Sequence, residues 1–215
     1  MLDINNQSEK RKTVLAVHGT ILLMLSLLLA VQGVFEIIDY IPYIISTGSM
    51  SCAAYIATIP ATLIMYILLG IAVNIYYYNS SEKLMRLLPA AMIIGIAPSL
   101  AYDLIFIYEK GFVADGEYNI LVYLIMDIIL LLDSVVMIQF VKGTMTRTTA
   151  MICPFIYLIT GIVFFSSVFV FYGSLESTNF MGYYFCNSVT NIFFSITLFH
   201  LTEMKYPDKN KNKGN

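Results

Sequence analysis

The chain has 215 residues, 59% of them hydrophobic and only 12% charged, with a net charge of −2 and a mean hydropathy of +0.78. A soluble domain carries roughly 25% charged and 45–50% apolar residues, so half the usual charge cannot cover a water-exposed surface of this size. A water-soluble body is excluded, nucleic acid is not an expected partner, and the apolar excess is expected to face a lipid bilayer.

A span needs about 20 apolar residues to cross a hydrocarbon core of about 30 Å. Six runs meet this requirement. An N-terminal arm, 1–12, carries the cluster Lys10-Arg11-Lys12, and the first run covers 13–35 and stops before Glu36. It exceeds the 7–15 residues or so of a signal-peptide core and no A-x-A-like site closes it, so it reads as a retained span. A link with Pro42 and Gly48 leads to the second run, 52–78, where Ala53, Ala57 and Ala61 recur at four-residue spacing beside Ala54, Thr58 and Thr62. Beyond Asn79-Ser80-Ser81 the third run, 87–108, carries the comparable stripe Ala91, Gly95 and Ser99, and the short turn predicts antiparallel packing of these two spans. Pro60 and Pro98 fall deep in the second and third runs, where each removes a backbone donor and is expected to kink or loosen its helix.

Gly111 and Gly116 precede the fourth run, 118–141, which ends at Lys142. Past Gly143 the fifth covers 149–172 with Pro154 in its first turns, and past Gly173 the sixth covers 180–201. Residues 204–215 form a basic tail with the composition of a disordered segment. The expected fold is therefore all-α: one transmembrane domain, 13–203, built as a bundle of about six helices.

Charge sets the orientation. Lys10, Arg11, Lys12, Lys83, Arg86, Lys142, Arg147, Lys205, Lys209, Lys211 and Lys213 fall on one side of this topology and only Lys110 on the other. Basic residues in short loops mark the cytoplasmic side, so both termini are expected there, in a cell membrane. Tyr76-Tyr77-Tyr78 is expected at the cytoplasmic headgroups, and Tyr40, Tyr43, Tyr102, Tyr108, Tyr118, Tyr123, Tyr172, Tyr183 and Tyr184 toward the opposite interface. The outer loops carry Glu36, Asp39, Glu109, Asp115, Glu117 and Glu176, an acidic vestibule for cations.

The residues that cost energy are the informative ones. Asp103 lies in the outer half of the third span, Asp127 at similar depth in the fourth, and Asp133 near the middle of the fourth. An Asp at a span centre costs about 2.5–3.5 kcal/mol on insertion, so all three are expected to face the bundle interior or a wet cavity. Six residues of helix separate Asp127 and Asp133 by about 120° in azimuth, so Asp127 and Asp103 form the better pair. No Lys or Arg lies at that depth, leaving tyrosine hydroxyls, amides, water, a cation or a proton as compensation. Asn187, Asn191 and Ser195 at four-residue intervals give the sixth span a polar face, and Asn74 adds an amide to the second.

Other chemistry finds little support. Cys52, Cys153 and Cys186 lack CxxC spacing, and His18 and His200, which are expected to be neighbours near the cytoplasmic ends of their spans, lack further ligands, so no metal or cofactor is expected. Ser46-Thr47-Gly48-Ser49-Met50 resembles the Ser-Met core of type I signal peptidases over those few residues, without the neighbouring proline, a following lysine base or a β-rich domain. Nucleophile-elbow, alcohol-phosphotransferase and prenyltransferase patterns are absent, which leaves an enzyme without a named constellation. Walker A is absent too, so ATP hydrolysis would need another subunit.

In size and span count the chain resembles substrate-binding subunits of vitamin transporters and small exporter permeases, a similarity of architecture without a shared motif. The leading expectation is a small transporter, or a membrane-embedded subunit working with an ATPase or other membrane partner. Asp103, Asp127 and Asp133 would bind a cation, a proton or a basic group, with Asn187 and Asn191 as neutral ligands. The alternative is a non-catalytic sensor, accessory or immunity protein acting through its loops and its basic tail.

Overall fold

Backbone amides in lipid have no water to bond, so apolar runs of this length satisfy them internally as helices. The structure is a computed structural model that describes residues 2–79, 86–111, 120–171 and 178–207, and within them the side chains of 12–74, 86–111, 120–166 and 182–207. Six long helices are present: α1 (Leu2–Thr47), α2 (Met50–Asn79), α3 (Leu87–Lys110), α4 (Ile120–Lys142), α5 (Ile152–Phe171) and α6 (Thr178–Lys205). A single helical turn, Arg147–Ala150, leads into α5, and none of the described residues lies in a strand.

Five segments are long and apolar enough to cross a membrane: Lys12–Thr47, Met50–Asn74, Leu87–Lys110, Ile120–Lys142 and Arg147–Ser166. The sixth expected span falls short by composition. Helix α6 has 28 residues, ample length, but Asn187, Ser188, Thr190, Asn191, Ser195 and Thr197 dilute its apolar content. The helices pack in chain order, α1 on α2, α2 on α3, α3 on α4, α4 on α5 and α5 on α6, and α6 returns to α1. The result is a closed ring.

Its polarity is reversed relative to a soluble protein. Leu27 and Val31 of α1, Leu132 and Val135 of α4, and Phe155 and Ile159 of α5 point outward, whereas Ser26, Thr58, Ser134, Thr160, Ser188, Thr190, Thr197 and Thr202 are buried. The buried hydroxyls are satisfied within their own helices. Ser26, Thr190 and Thr202 each donate to the carbonyl four residues back at 2.7 Å, and Thr58 and Ser134 to the carbonyl three back at 2.7 and 2.6 Å. Such back-bonding lets polar residues sit inside without a partner helix.

Helix α1 departs from expectation. It runs through Glu36 and Pro42 and ends only where Gly48 takes φ +64°, past the loop expected from residue 36 onward. Pro42 and Ile38 share the exposed face, so the carbonyl freed by the missing amide points away from the packed interior. The link into α2 is tied from across the bundle. Glu109 of α3 accepts from Met50 N at 2.7 Å, Ser51 N at 3.1 Å and the Ser49 hydroxyl at 3.1 Å. These are the unpaired donors of a helix start, and a carboxylate there also meets the positive end of the helix dipole. The Ser-Met pair is therefore a helix cap. At the opposite end Lys205 Nζ donates to Val141 O, and Tyr206 donates to Phe140 O at 2.9 Å, which caps the last carbonyls of α4.

Close approach depends on small residues. A Cβ at Gly95 would run into Met65, at 2.9 Å from its Cβ, one at Gly70 would lie 3.2 Å from Gly19 O, and one at Gly161 would lie 3.1 Å from Ile192 N. The α2–α3 pair packs antiparallel as expected, with Ala61, Thr58, Ala91 and Gly95 buried. Ala53 and Ala57 instead face outward. A four-residue stripe drifts by about 40° per repeat, which carries the first members of the series off the seam.

At Gly161 the obstacle is partly backbone, which cannot swing aside. Gly161→Val is expected to destabilise the fold by about 1–3 kcal/mol, the usual cost of overpacking, read as a lower melting temperature of the purified protein in detergent.

Candidate functional site

Helices α3 and α4 run antiparallel, and each carries one aspartate seven residues from the same end of the bundle, Asp103 before Lys110 and Asp127 after Ile120. At 1.5 Å per residue both lie about 10 Å in. Their side chains line one cavity of about 100 Å³, to which residues of α2 through α6 contribute. Asn187 and Asn191 of α6 line it as well. Four of the five residues predicted to form a site thus share one space.

Asp133 does not. It stands on another face of α4, as the 120° or so between it and Asp127 requires, buried beside the Cys153 thiol of α5 and outside the cavity lining. Tyr157 of α5 connects the two places, because it lines the cavity and also lies near Asp133.

Burial without partners separates these groups from the structural polar residues. Asp103 is 2%, Asp127 4% and Asp133 1% exposed. Asp103 Oδ2, Asp127 Oδ2, both oxygens of Asp133, Tyr157 Oη and Asn191 Oδ1 have no hydrogen-bond partner among the described residues. Ser99 lies within reach of the Asp127 carboxyl but serves only part of its capacity. Buried polar atoms in folded proteins are nearly always paired, so several orphans around one cavity call for a missing occupant. Asn187 is different, since its Oδ1 accepts from Tyr66 at 3.1 Å. Ser195, the third member of the α6 stripe, donates to Pro154 O at 2.9 Å and joins α6 to α5.

Sequence reasoning missed the aromatic wall. Tyr55, Tyr66, Tyr102, Tyr123, Tyr157, Tyr183 and Tyr184 line the cavity with Phe164. Tyr102, Tyr123, Tyr183 and Tyr184, expected at the membrane interface, turn inward. Tyr55 is the hub: its ring centroid lies 5.6 Å from Tyr102, 6.3 Å from Tyr184 and 5.0 Å from Tyr40. Tyr123 stacks on Phe164 at 5.5 Å. One signal was legible, because Tyr183 continues the Asn187–Asn191 stripe one turn back.

Glu36 is the second omission. Expected in an outer loop, it is 1% exposed inside α1 and accepts from the Tyr55 hydroxyl at 3.0 Å. It thereby fixes the hub ring from outside the cavity. With Glu109 serving as a cap, two acids of the expected vestibule have structural roles, while Asp115, Glu117 and Glu176 lie outside the described residues.

The histidines meet as expected, with His18 and His200 rings 4.8 Å apart and edge-on, and His18 also 5.2 Å from Phe193. Among the described residues no group of three or more His, Cys, Asp or Glu is placed to hold a metal ion. No protein family, curated protein or solved structure matches the chain.

An unpaired buried carboxyl is a cost to folding that apolar replacement removes. Asp127→Leu is expected to raise stability in detergent by about 1–3 kcal/mol without changing elution in gel filtration. A loss of stability would mean that Asp127 has a structural partner.

Proposed function

We propose that the protein is a small membrane transporter, or the membrane-embedded subunit of one, and that its cavity binds a cation. The observation that carries this reading is the pair Asp103 and Asp127, each with a buried oxygen that has no partner among the described residues, on one cavity whose described lining contains no Lys, Arg or His. Intramembrane carboxyls of this kind mark ion or solute paths, because the energy spent on burying them has no return in packing.

In this reading all six long helices cross the bilayer. The polar content of α6 supports that, since its polar residues face the cavity and the neighbouring helices. Lys12, Arg86, Lys142, Arg147 and Lys205 stand at one end of the bundle and Lys110 at the other. That asymmetry supports a cytoplasmic position for both termini in a cell membrane. The aspartates then lie in the outer half of the membrane, and Tyr157 and Asp133 lie between them and the inner face. An ATPase or second membrane subunit would supply energy if ion gradients do not.

Proteoliposomes carrying an internal pH-sensitive or cation-sensitive dye test the reading against imposed K⁺, Na⁺ and alkylammonium gradients. Flux is expected to fall at least about tenfold, roughly 1.4 kcal/mol, in Asp103→Asn and in Asp127→Asn. Acidification is expected to weaken cation uptake, because protons compete for the same oxygens. Asp133→Asn, outside the cavity lining, is expected to leave that competition in place. Equal flux in wild type and in both cavity variants would overturn the proposal.

A further inference from the structure

The cavity's unmet hydrogen bonds narrow the class of cation. Asp103 Oδ2, Asp127 Oδ2 and Asn191 Oδ1 are all acceptors, all buried, and all on residues lining the same space. A proton on one oxygen leaves the others unmet. A hard metal ion needs six or so oxygens at about 2.0–2.6 Å, and among the described residues no group of three or more His, Cys, Asp or Glu is placed to hold one. A quaternary ammonium has charge but no N–H bond to give.

A primary ammonium group has three N–H donors in a tetrahedral spread, the same head as a lysine side chain. Its three donors can serve the two carboxyls and the amide oxygen, while the Tyr157 hydroxyl on the same lining, likewise orphaned, can donate as well as accept. What surrounds them suits the rest of such a molecule: aromatic faces from Tyr55, Tyr102, Tyr123 and Tyr184, which attract a cation and cover an alkyl chain. Size sets the upper limit. A cavity of about 100 Å³ is well below the roughly 300–1,000 Å³ of sites for drug-sized ligands.

We propose that the cavity binds the primary ammonium group of a small alkylamine, its three N–H bonds directed to Asp103, Asp127 and Asn191 and its alkyl chain laid against the tyrosine rings. This rests on the cation-binding reading of the same cavity. It assigns Asn191 the specificity role, since the amide oxygen is an acceptor for a third N–H bond, which a quaternary ammonium lacks and a bare K⁺ meets only as one of several oxygens it must gather. Asn187, one turn away, is already engaged, its Oδ1 accepting from Tyr66 at 3.1 Å.

Calorimetric titration of the purified full-length protein in detergent tests this with n-butylammonium, tetramethylammonium and K⁺ as probes. Wild type is expected to bind n-butylammonium at least about tenfold more tightly than either other cation, a difference of roughly 1.4 kcal/mol. Asn191→Leu is expected to erase that preference, and Asp127→Asn to weaken every cation. The comparison of probes on wild type needs no variant, so a misfolded variant leaves the test intact. Equal affinity for the three probes would overturn the amine assignment. Binding of K⁺ alone, lost in Asp127→Asn, would overturn it too and leave the cation-binding reading standing. No binding of any probe that responds to Asp103 or Asp127 would remove both.

Discussion

A carboxyl group about 10 Å inside a membrane-crossing helix has no bulk water to solvate it, and lipid offers nothing in its place. It must be enclosed by protein, and enclosure requires neighbours on every side. Two such groups at the same depth on adjacent helices, Asp103 and Asp127, impose this twice at one spot. The ring of six helices supplies the enclosure. Helix α1 takes part without lining the cavity, by closing against both α2 and α6 and by bringing Glu36 onto the hydroxyl of Tyr55.

The enclosure is held by ordinary means. Small residues at Gly19, Gly70, Gly95 and Gly161 bring backbones close, which is how helices adhere where lipid supplies no hydrophobic drive. The helix ends are fastened across the bundle, by Glu109 on the start of α2 and by Lys205 and Tyr206 on the end of α4. Buried hydroxyls such as those of Ser26, Thr58, Ser134, Thr190 and Thr202 return to their own helices. Among the described residues most of the buried side-chain atoms without a partner lie on the cavity or beside it, at Asp103, Asp127, Asn191, Tyr157 and Asp133, and there the fold has given up stability. Sites that bind are commonly where such losses are found.

The fold was largely legible because its cause is local: five of the six expected runs are long and apolar enough to cross a bilayer, and a long helix falls on each expected run. The depth match of Asp103 and Asp127 follows from the same counting. What the sequence does not carry is azimuth. Tyr102 and Tyr184 lie near helix ends, where tyrosine commonly anchors to headgroups, and only packing decides that they turn inward. Ala53 and Ala57 have the composition of a seam and lie outside it. Pro42 reads as a breaker, yet α1 passes through it. Glu36 illustrates the same limit, since its burial depends on a hydroxyl 19 residues away on another helix.

The central claim is that Asp103 and Asp127 turn into one enclosed cavity and hold a cation there. An experimental structure of the protein in lipid nanodiscs, determined with and without n-butylammonium, tests it most directly. Density bridging the two carboxyls and Asn191 in the amine-bound structure, and water or nothing in the other, is the expected result. Carboxyls facing lipid, or a collapsed space with Asp103 and Asp127 satisfied by protein donors, would contradict the account.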